Sequence, residues 1–535
     1  MKPTGGIGGL PKVNRSPVAR VHTRTIRAGK PEVPDFNKPY CEDCDAAAQK
    51  WAAHGFVRMT IGSRAVARWG VAAWVAAAIM AAAVSLSVLR IPIQVTDSLI
   101  PLLQVQAAPS AAAVFRSYLG RTGFLRPVNW SQIKLLLDVS GGNYFLAFRG
   151  FHVLLVVLLF VLFTLAARVR TRTEFLAFTF ALTVLTGLHT FVGNVWEAYP
   201  INHFLEIAVF CTGALVLAQS KGGWWADLLG GVLFLAAALT LESGLLVWVV
   251  FVIARLVGMK GLSWKGIAFV TVLLAGYFYV RFWDLSTGTP GLTERATGFG
   301  FGRLEPDEVV ERFGASPYLF YLYNVVSSFL SVVLSEPRAG TWDLTARVVR
   351  GQIAPGMVVT VFSSLLATGG MAWFAAVRWR TWAARRFEHA DQLVLIVLAV
   401  AAGNAVICYV YTKDEIMSTA GVFYALAAFA AATYALERMA EMRMSAVRSS
   451  VVLLFLFFGG VTWCVRSAGL HYQMAAMTFN IRAEWANVDD WLDDQEATPV
   501  DSSAVQLIED LRTLAIEMPV VNPVYLPRWG DEWFR

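Results

Sequence analysis

Apolar residues run through this chain in long blocks, separated by short polar stretches in which Lys and Arg recur. Helices are predicted at roughly 67–90, 149–167, 174–191, 203–219, 224–241, 243–257, 264–284, 354–377, 392–411, 416–436 and 449–466. A helix needs about 20 apolar residues to cross the hydrocarbon core. Blocks such as Trp69–Leu89 and Val153–Ala167 read as such spans. The pattern predicts an all-α, polytopic integral membrane protein of about 11 transmembrane helices, and it excludes a soluble enzyme.

The stretch 224–257 decides the topology. As a single helix it would be about 50 Å long, well beyond the bilayer core, whereas two segments are each short for a span. Charge separates the alternatives. With two segments and a cytoplasmic N-terminus, the inside loops are Arg168-Val169-Arg170-Thr171-Arg172, the turn holding Lys221, Lys260 to Lys265, Arg378 to Arg386 and Arg438 to Arg448. All are basic, and a single span would push every later one outside, against the positive-inside bias. A polar turn is therefore expected at Glu242-Ser243 near the outer face.

This gives three regions. Residues 1–65 read as a disordered cytoplasmic tail, rich in Gly, Pro and scattered basic residues without periodicity. Residues 66–466 form the transmembrane domain. Residues 467–535 form an outer-face tail with short helices at Met474–Leu492 and Ser503–Ile516 and a Pro-rich end. The other outer segments run from Arg90 to about Asn143, Gly193 to Asn202, and Leu285 to about Ile353, and function is expected there. The first and third are expected to form a cap of short amphipathic helices. The protein is expected in the plasma (inner) membrane, with an external C-terminus.

Composition agrees: 56% of the 535 residues are hydrophobic and 16% charged, a balance of bilayer-embedded helices. The net charge of +7 comes from basic residues beside apolar blocks, with no aromatic-interleaved stripe of the kind that binds nucleic acid. Of five cysteines, Cys211, Cys408 and Cys464 fall in apolar blocks, so no disulfide framework follows. Cys41 and Cys44 form a CxxC pair without a second pair, and His22 and His54 would complete a zinc site only at unusual spacing.

The candidate chemistry begins in the first outer segment. It reads Gln94-Val95-Thr96-Asp97-Ser98-Leu99, then Arg121-Thr122-Gly123-Phe124-Leu125-Arg126-Pro127, then a polar and aromatic entry from Asn143 to His152. Leu188-His189 and Trp196-Glu197 bracket the second outer segment, Glu242-Ser243 lies between two short helices, and Tyr411-Thr412-Lys413-Asp414 precedes a late span. This ordered series, over 67–466, resembles the GT-C superfamily of membrane glycosyltransferases, nearest to its protein O-mannosyltransferase-like, tetratricopeptide-associated branch. Asp97 is followed by Ser98 where many relatives have paired acids, and no tetratricopeptide repeat follows the last span.

The resemblance implies transfer of a sugar from a polyprenyl-phosphate donor to a protein, lipid or glycan acceptor at the outer face. It implies Asp97 as the catalytic residue, Arg121, Arg126 and Lys413 as ligands of the donor phosphate, and His189, Glu197, Tyr199 and Glu242 as pocket residues. Physical chemistry supports the first roles: an acceptor hydroxyl needs a base within hydrogen-bond reach, and a departing lipid phosphate is stabilised by fixed guanidinium groups. Arg can supply the positive charge without a metal, although some superfamily members use a divalent ion.

Each residue also has a plainer reading. Thr96-Asp97-Ser98 is a helix N-cap pattern. Arg121 and Arg126 could pair with lipid phosphates alone, and Lys413 could pair with Asp414 or Glu415. His189 could bond a neighbouring helix, as could His203 near the start of its span. Glu242 must either cap the following helix or line the pocket, because an unpaired carboxylate there is costly. Arg281 is explained by snorkelling. Gly298-Phe299-Gly300-Phe301-Gly302 reads as a mobile loop instead of a phosphate cradle, and Asn129-Trp130-Ser131 is an N-glycosylation pattern. Two other functions share the topology: a lipid-linked polysaccharide polymerase or ligase, using an outer Arg/His pair, and a transporter or flippase, which would show pseudo-symmetric halves.

Overall fold

The computed structural model describes residues 68–91, 96–119, 124–196, 201–284, 297–299, 302–314, 318–334, 340–412, 415–441, 446–480 and 502–517. The N-terminal tail with Cys41 and Cys44 lies outside them.

The described chain is helical apart from one small ribbon. Helix α1 (Arg68–Leu89) is followed by α2 (Thr96–Gln106), α3 (Ala111–Leu119) and α4 (Pro127–Val139). Next come α5 (Phe145–Ala167), which opens with a π turn, α6 (Arg172–Gly187), α7 (His189–Trp196) and α8 (His203–Ala218). Helix α9 (Trp224–Ala238), a 3-10 turn Glu242–Leu245 and α10 (Leu246–Leu256) lead to α11 (Trp264–Asp284). The stretch between α11 and α15 holds strands β1 (Thr297–Phe299) and β2 (Gly302–Leu304), then α12 (Pro306–Phe313), α13 (Tyr318–Val333) and α14 (Gly340–Val349). Helices α15 (Pro355–Ala383), α16 (His389–Ile407), α17 (Ser418–Glu441), α18 (Ala446–Asn480) and α19 (Ser502–Glu517) complete the order.

Seven of these helices are long and apolar enough to cross a membrane among the described residues, and up to nine if the bent pairs α6–α7 and α12–α13 each count once. Each of the eleven apolar blocks of the sequence is helical, but α8 and α9 are shorter than that criterion and α10 has 11 residues. The expected break in 224–257 is present. Gly244 permits it, because a Cβ there would collide with the backbone of Ala237 and Ala238.

Helix α17 is the centre of the bundle, with Ser418–Ala432 buried throughout. Eight of those fifteen residues are Ala or Gly, and small side chains let neighbouring helices approach within van der Waals reach. It packs against α6, α8, α15 and α16. The bundle turns other apolar rows outward, such as Val71, Val75 and Ile79 of α1 and Leu454, Phe457 and Phe458 of α18, as the surrounding acyl chains require. One charge sits deep in α18. Arg466 is buried and donates to the Gly187 carbonyl at 3.0 Å, Ser364 Oγ at 2.9 Å, Ser363 Oγ at 3.2 Å and the Thr360 carbonyl at 3.3 Å, with its guanidinium over the Trp463 ring.

The basic turns share one end of the bundle, linked by their own hydrogen bonds. Arg168, a left-handed C-cap at φ 53°, donates to the Gln219 carbonyl. Gln219 in turn donates to the Ala166 carbonyl. Gly261 N donates to the Ala218 carbonyl at 2.8 Å, and Gln392 Nε2 to the Val257 carbonyl at 3.0 Å. Beside it, Asp391 accepts from Arg378 Nε at 2.9 Å and Nη2 at 2.6 Å, from Trp382 Nε1 at 2.7 Å and from Glu388 N at 2.8 Å.

A separate cap joins the segment between α1 and α5 to the C-terminal tail. Leu102 and Val105 of α2, Val114 and Tyr118 of α3 and Ile133 of α4 form one apolar cluster with Ile508 and Leu511 of α19. The tail helix expected over Ser503–Ile516 is therefore the cover of the first outer segment. The helix expected at Met474–Leu492 begins instead as a continuation of the last span, which runs without a break to Asn480.

The third outer segment departs from expectation twice. Thr297–Phe299 pairs antiparallel with Gly302–Leu304, Thr297 opposite Leu304, so strand pairing stands where only a loop was expected. Helix α13 is no free surface helix: it buries Asn324, Ser327, Ser328 and Ser331 and packs on α16, with Asn324 Nδ2 bonded to the Tyr409 carbonyl at 3.1 Å. Its polar residues recur about one turn apart, so its bundle-facing stripe is polar while Leu319, Leu322 and Val326 on its other side are exposed.

Candidate functional site

Proline sets the first element of the site. Pro127 occupies the first turn of α4, where its missing N–H would have lacked an intrahelical partner in any case. Arg126 precedes it at φ −128°, ψ 47°, outside the α region that a following proline disfavours. Val128 N donates to the Leu239 carbonyl at 3.1 Å, which anchors the start of α4 to the end of α9.

That anchorage brings Arg126 to Glu242. Arg126 Nη2 lies 2.6 Å from Glu242 Oε2, and its Nε donates at 3.0 Å to Oε2 and 3.3 Å to Oε1. The second guanidinium comes from the π turn that closes α11. Arg281 Nη1 stands 3.1 Å from Glu242 Oε1 and donates to Tyr277 Oη at 2.8 Å. Phe124 and Phe282 each lie against one guanidinium, at 4.4 and 5.3 Å from the ring centroid.

Two guanidinium cations thus share one carboxylate. All three side chains are at most a quarter exposed. In so little water, fixed cations act on a developing anion far more strongly than they would in solution. His203, at the start of α8, lies within electrostatic range of both Arg126 and Glu242.

Polar pairing continues along α4. Gln132 Nε2 donates to Glu206 Oε1 of α8 at 2.6 Å, tying the cap helix to the bundle a second time. Asn202 caps α8 through a bond from Leu205 N at 2.9 Å, and its Nδ2 bonds the Asn194 carbonyl at 2.6 Å across the second outer segment. Trp196 Nε1 donates to His471 Nδ1 of the last span at 2.9 Å. At the entry to α5, buried Arg149 donates to the Ile91 carbonyl at 3.2 Å.

Of the residues proposed from sequence, the structure unites Arg126 and Glu242. His189 is buried at the bend between α6 and α7, where the neighbouring Thr190 fills the space that a side chain on Gly421 would need. Helix α2 starts at Thr96, so Asp97 falls in its first turn. The Asp97 side chain and all of Arg121, Glu197, Tyr199 and Lys413 lie outside the described residues. Among those described, no three His, Cys, Asp or Glu side chains gather as they would around a metal ion.

Two sequence readings need correction. Arg281 does not snorkel; it is 5% exposed and bound to Glu242 and Tyr277. The spacing Tyr277 to Arg281, one turn on one helix face, was the available signal. Asn129 is no glycan acceptor in this fold, because it is buried within α4 and Ser131 Oγ is bonded to the Pro127 carbonyl at 2.7 Å. Gln132 and Glu206 went unnoticed, and nothing in either local sequence marks them as partners.

Comparison with protein families, with characterised proteins and with solved structures finds no match to this chain. The membrane character follows from the helices themselves, and the activity has to be argued from the site.

Proposed function

We propose that this chain is a membrane glycosyltransferase of GT-C type that moves a hexose or pentose from a polyprenyl-phosphate donor to a protein, lipid or glycan acceptor. In this reading it has eleven spans in the plasma (inner) membrane, a cytoplasmic N-terminus and an external C-terminus, and it acts at the outer face. The observation that carries the reading is the Arg126–Glu242–Arg281 cluster. Three segments meet there, the stretch before α4, the Glu-Ser turn and the end of α11, and they bring two guanidinium groups onto one carboxylate.

The chemistry assigned to it is direct. Asp97 takes the proton of the acceptor hydroxyl while the acceptor oxygen bonds to the anomeric carbon of the donor. The bond from that carbon to the phosphate oxygen breaks, and the lipid phosphate leaves with the bonding pair. Arg126 and Arg281 stabilise that anion, and Glu242 holds the two guanidinium groups in place. Arg281 is added to the donor-phosphate set on the strength of its contact with Glu242.

The test is mass spectrometry of surface glycans in cells with and without the protein, followed by transfer assays with purified protein and polyprenyl-phosphate sugars. Loss of one glycan and its restoration by active protein would support the reading. An unchanged glycan profile, with no transfer from any polyprenyl-phosphate sugar, would sink it.

A further inference from the structure

At the basic end of the bundle, two loops are locked together. Gly222, at φ +80°, packs so closely that a Cβ there would lie 2.6 Å from the Lys260 carbonyl, and the Gly261 N–H bonds the Ala218 carbonyl. Asp227 receives Ser263 N at 2.8 Å and Ser263 Oγ at 2.6 Å, which fixes the start of α11 beside the start of α9. The Asp227 charge is thereby engaged within the protein.

Around this rigid corner stand three exposed lysines, Lys221, Lys260 and Lys265. Three tryptophans stand with them: Trp224 and Trp225 are stacked at 3.7 Å and about two-thirds exposed, and Trp264 is 55% exposed. Arg255 adds a fourth cation, its guanidinium 5.3 Å from the Trp264 ring centroid. Below the tryptophans the seam between α9 and α11 is apolar and outward-facing, with Leu228, Leu229 and Val232 on one side and Phe269 and Val272 on the other. Gly231 lets the Phe269 ring settle into that seam.

Charge and apolarity are stacked here in the order in which a phospholipid presents them. We propose that this corner binds the headgroup of an anionic phospholipid, with its acyl chains along the α9–α11 seam. Lysine clusters beside membrane helices attract anionic headgroups, and tryptophan is at home at headgroup depth. A free phosphate would engage the lysines but leave the apolar seam and the tryptophans without a role. The inference stands apart from the transferase reading, since it concerns the opposite end of the bundle.

The experiment uses the full-length protein in nanodiscs of phosphatidylcholine with a set fraction of phosphatidylglycerol, and native mass spectrometry to count retained lipid. The unaltered protein should retain phosphatidylglycerol in preference to phosphatidylcholine. Each basic residue near an anionic surface contributes about five-fold, so the Lys221→Gln/Lys260→Gln/Lys265→Gln protein should lose about a hundred-fold in relative affinity. The corresponding triple Arg variant should keep the preference. The proposal is overturned if the unaltered protein shows no preference, a result that needs no variant to fold. It is likewise overturned if the triple Gln protein retains phosphatidylglycerol as before, or if inorganic phosphate displaces the lipid.

Discussion

Arg126 and Glu242 stand 116 positions apart in the chain, yet their side chains meet in three N–H···O contacts, from Nη2 to Oε2 at 2.6 Å and from Nε to Oε2 and Oε1 at 3.0 and 3.3 Å. The contact closes the first outer segment onto the bundle. Arg281 shares the same carboxylate from the other side.

Removing the shared anion should therefore be worse than removing a cation. Glu242→Ala leaves two guanidinium groups side by side in a site that is at most a quarter exposed. Breaking a buried pair by deleting one partner costs about 3–5 kcal/mol. The thermal midpoint of the detergent-solubilised protein should drop sharply, and the Arg126→Ala/Glu242→Ala protein should be less destabilised than the sum of its singles. Strict additivity would show that the pair is uncoupled.

For the proposed reaction, Asp97→Asn keeps size and hydrogen-bonding capacity while removing the base. Transfer should fall by about 10²–10⁴-fold with donor binding little changed. Arg126→Ala should weaken both donor binding and turnover, because the lipid phosphate is anionic before and after the transition state. An Asp97→Asn protein with full activity would end the base assignment and make Glu197 the next acid to test.

The two carboxylates near Arg378 should separate cleanly. Asp391 has no exposed side-chain surface and accepts four hydrogen bonds, whereas Glu388 is 72% exposed at 3.1 Å from the same guanidinium. Asp391→Ala should cost about 3–5 kcal/mol, and Glu388→Ala less than about 1 kcal/mol. Equal shifts in thermal midpoint would contradict the burial argument.

Topology can be checked directly. A reporter fused after Arg386 should register as cytoplasmic, and one fused after Gly340 as external. A reporter at the C-terminus should agree with the latter, because α19 covers α2. The reverse pattern, Arg386 external and Gly340 cytoplasmic, would remove the two-segment reading of 224–257, and both on one side would mean that 354–377 does not cross.

Run length and loop charge made most of this architecture legible. Blocks such as 67–90 and 264–284 became helices within a few residues, and the basic turns gathered at one end, because both features act locally. What stayed hidden depends on distant partners. The polar stripe of α13 makes sense only against α16, and Glu206 only against Gln132. For the candidate site, Arg126 and Glu242 were each singled out, but their contact was not foreseen. Arg281 was read from its position at a span end, where snorkelling sufficed, until the Glu242 carboxylate gave it a partner.

Arg466 carries a consequence for biogenesis. As an isolated helix, α18 would present an arginine to lipid, which opposes translocon insertion even away from the helix centre, where the cost is greatest. Its relief comes from Gly187, Thr360, Ser363 and Ser364, all synthesised earlier. The last span is thus a client of the third and eighth apolar blocks: it can settle only once α6 and α15 are already in place to receive it. The order of synthesis is then the order of assembly.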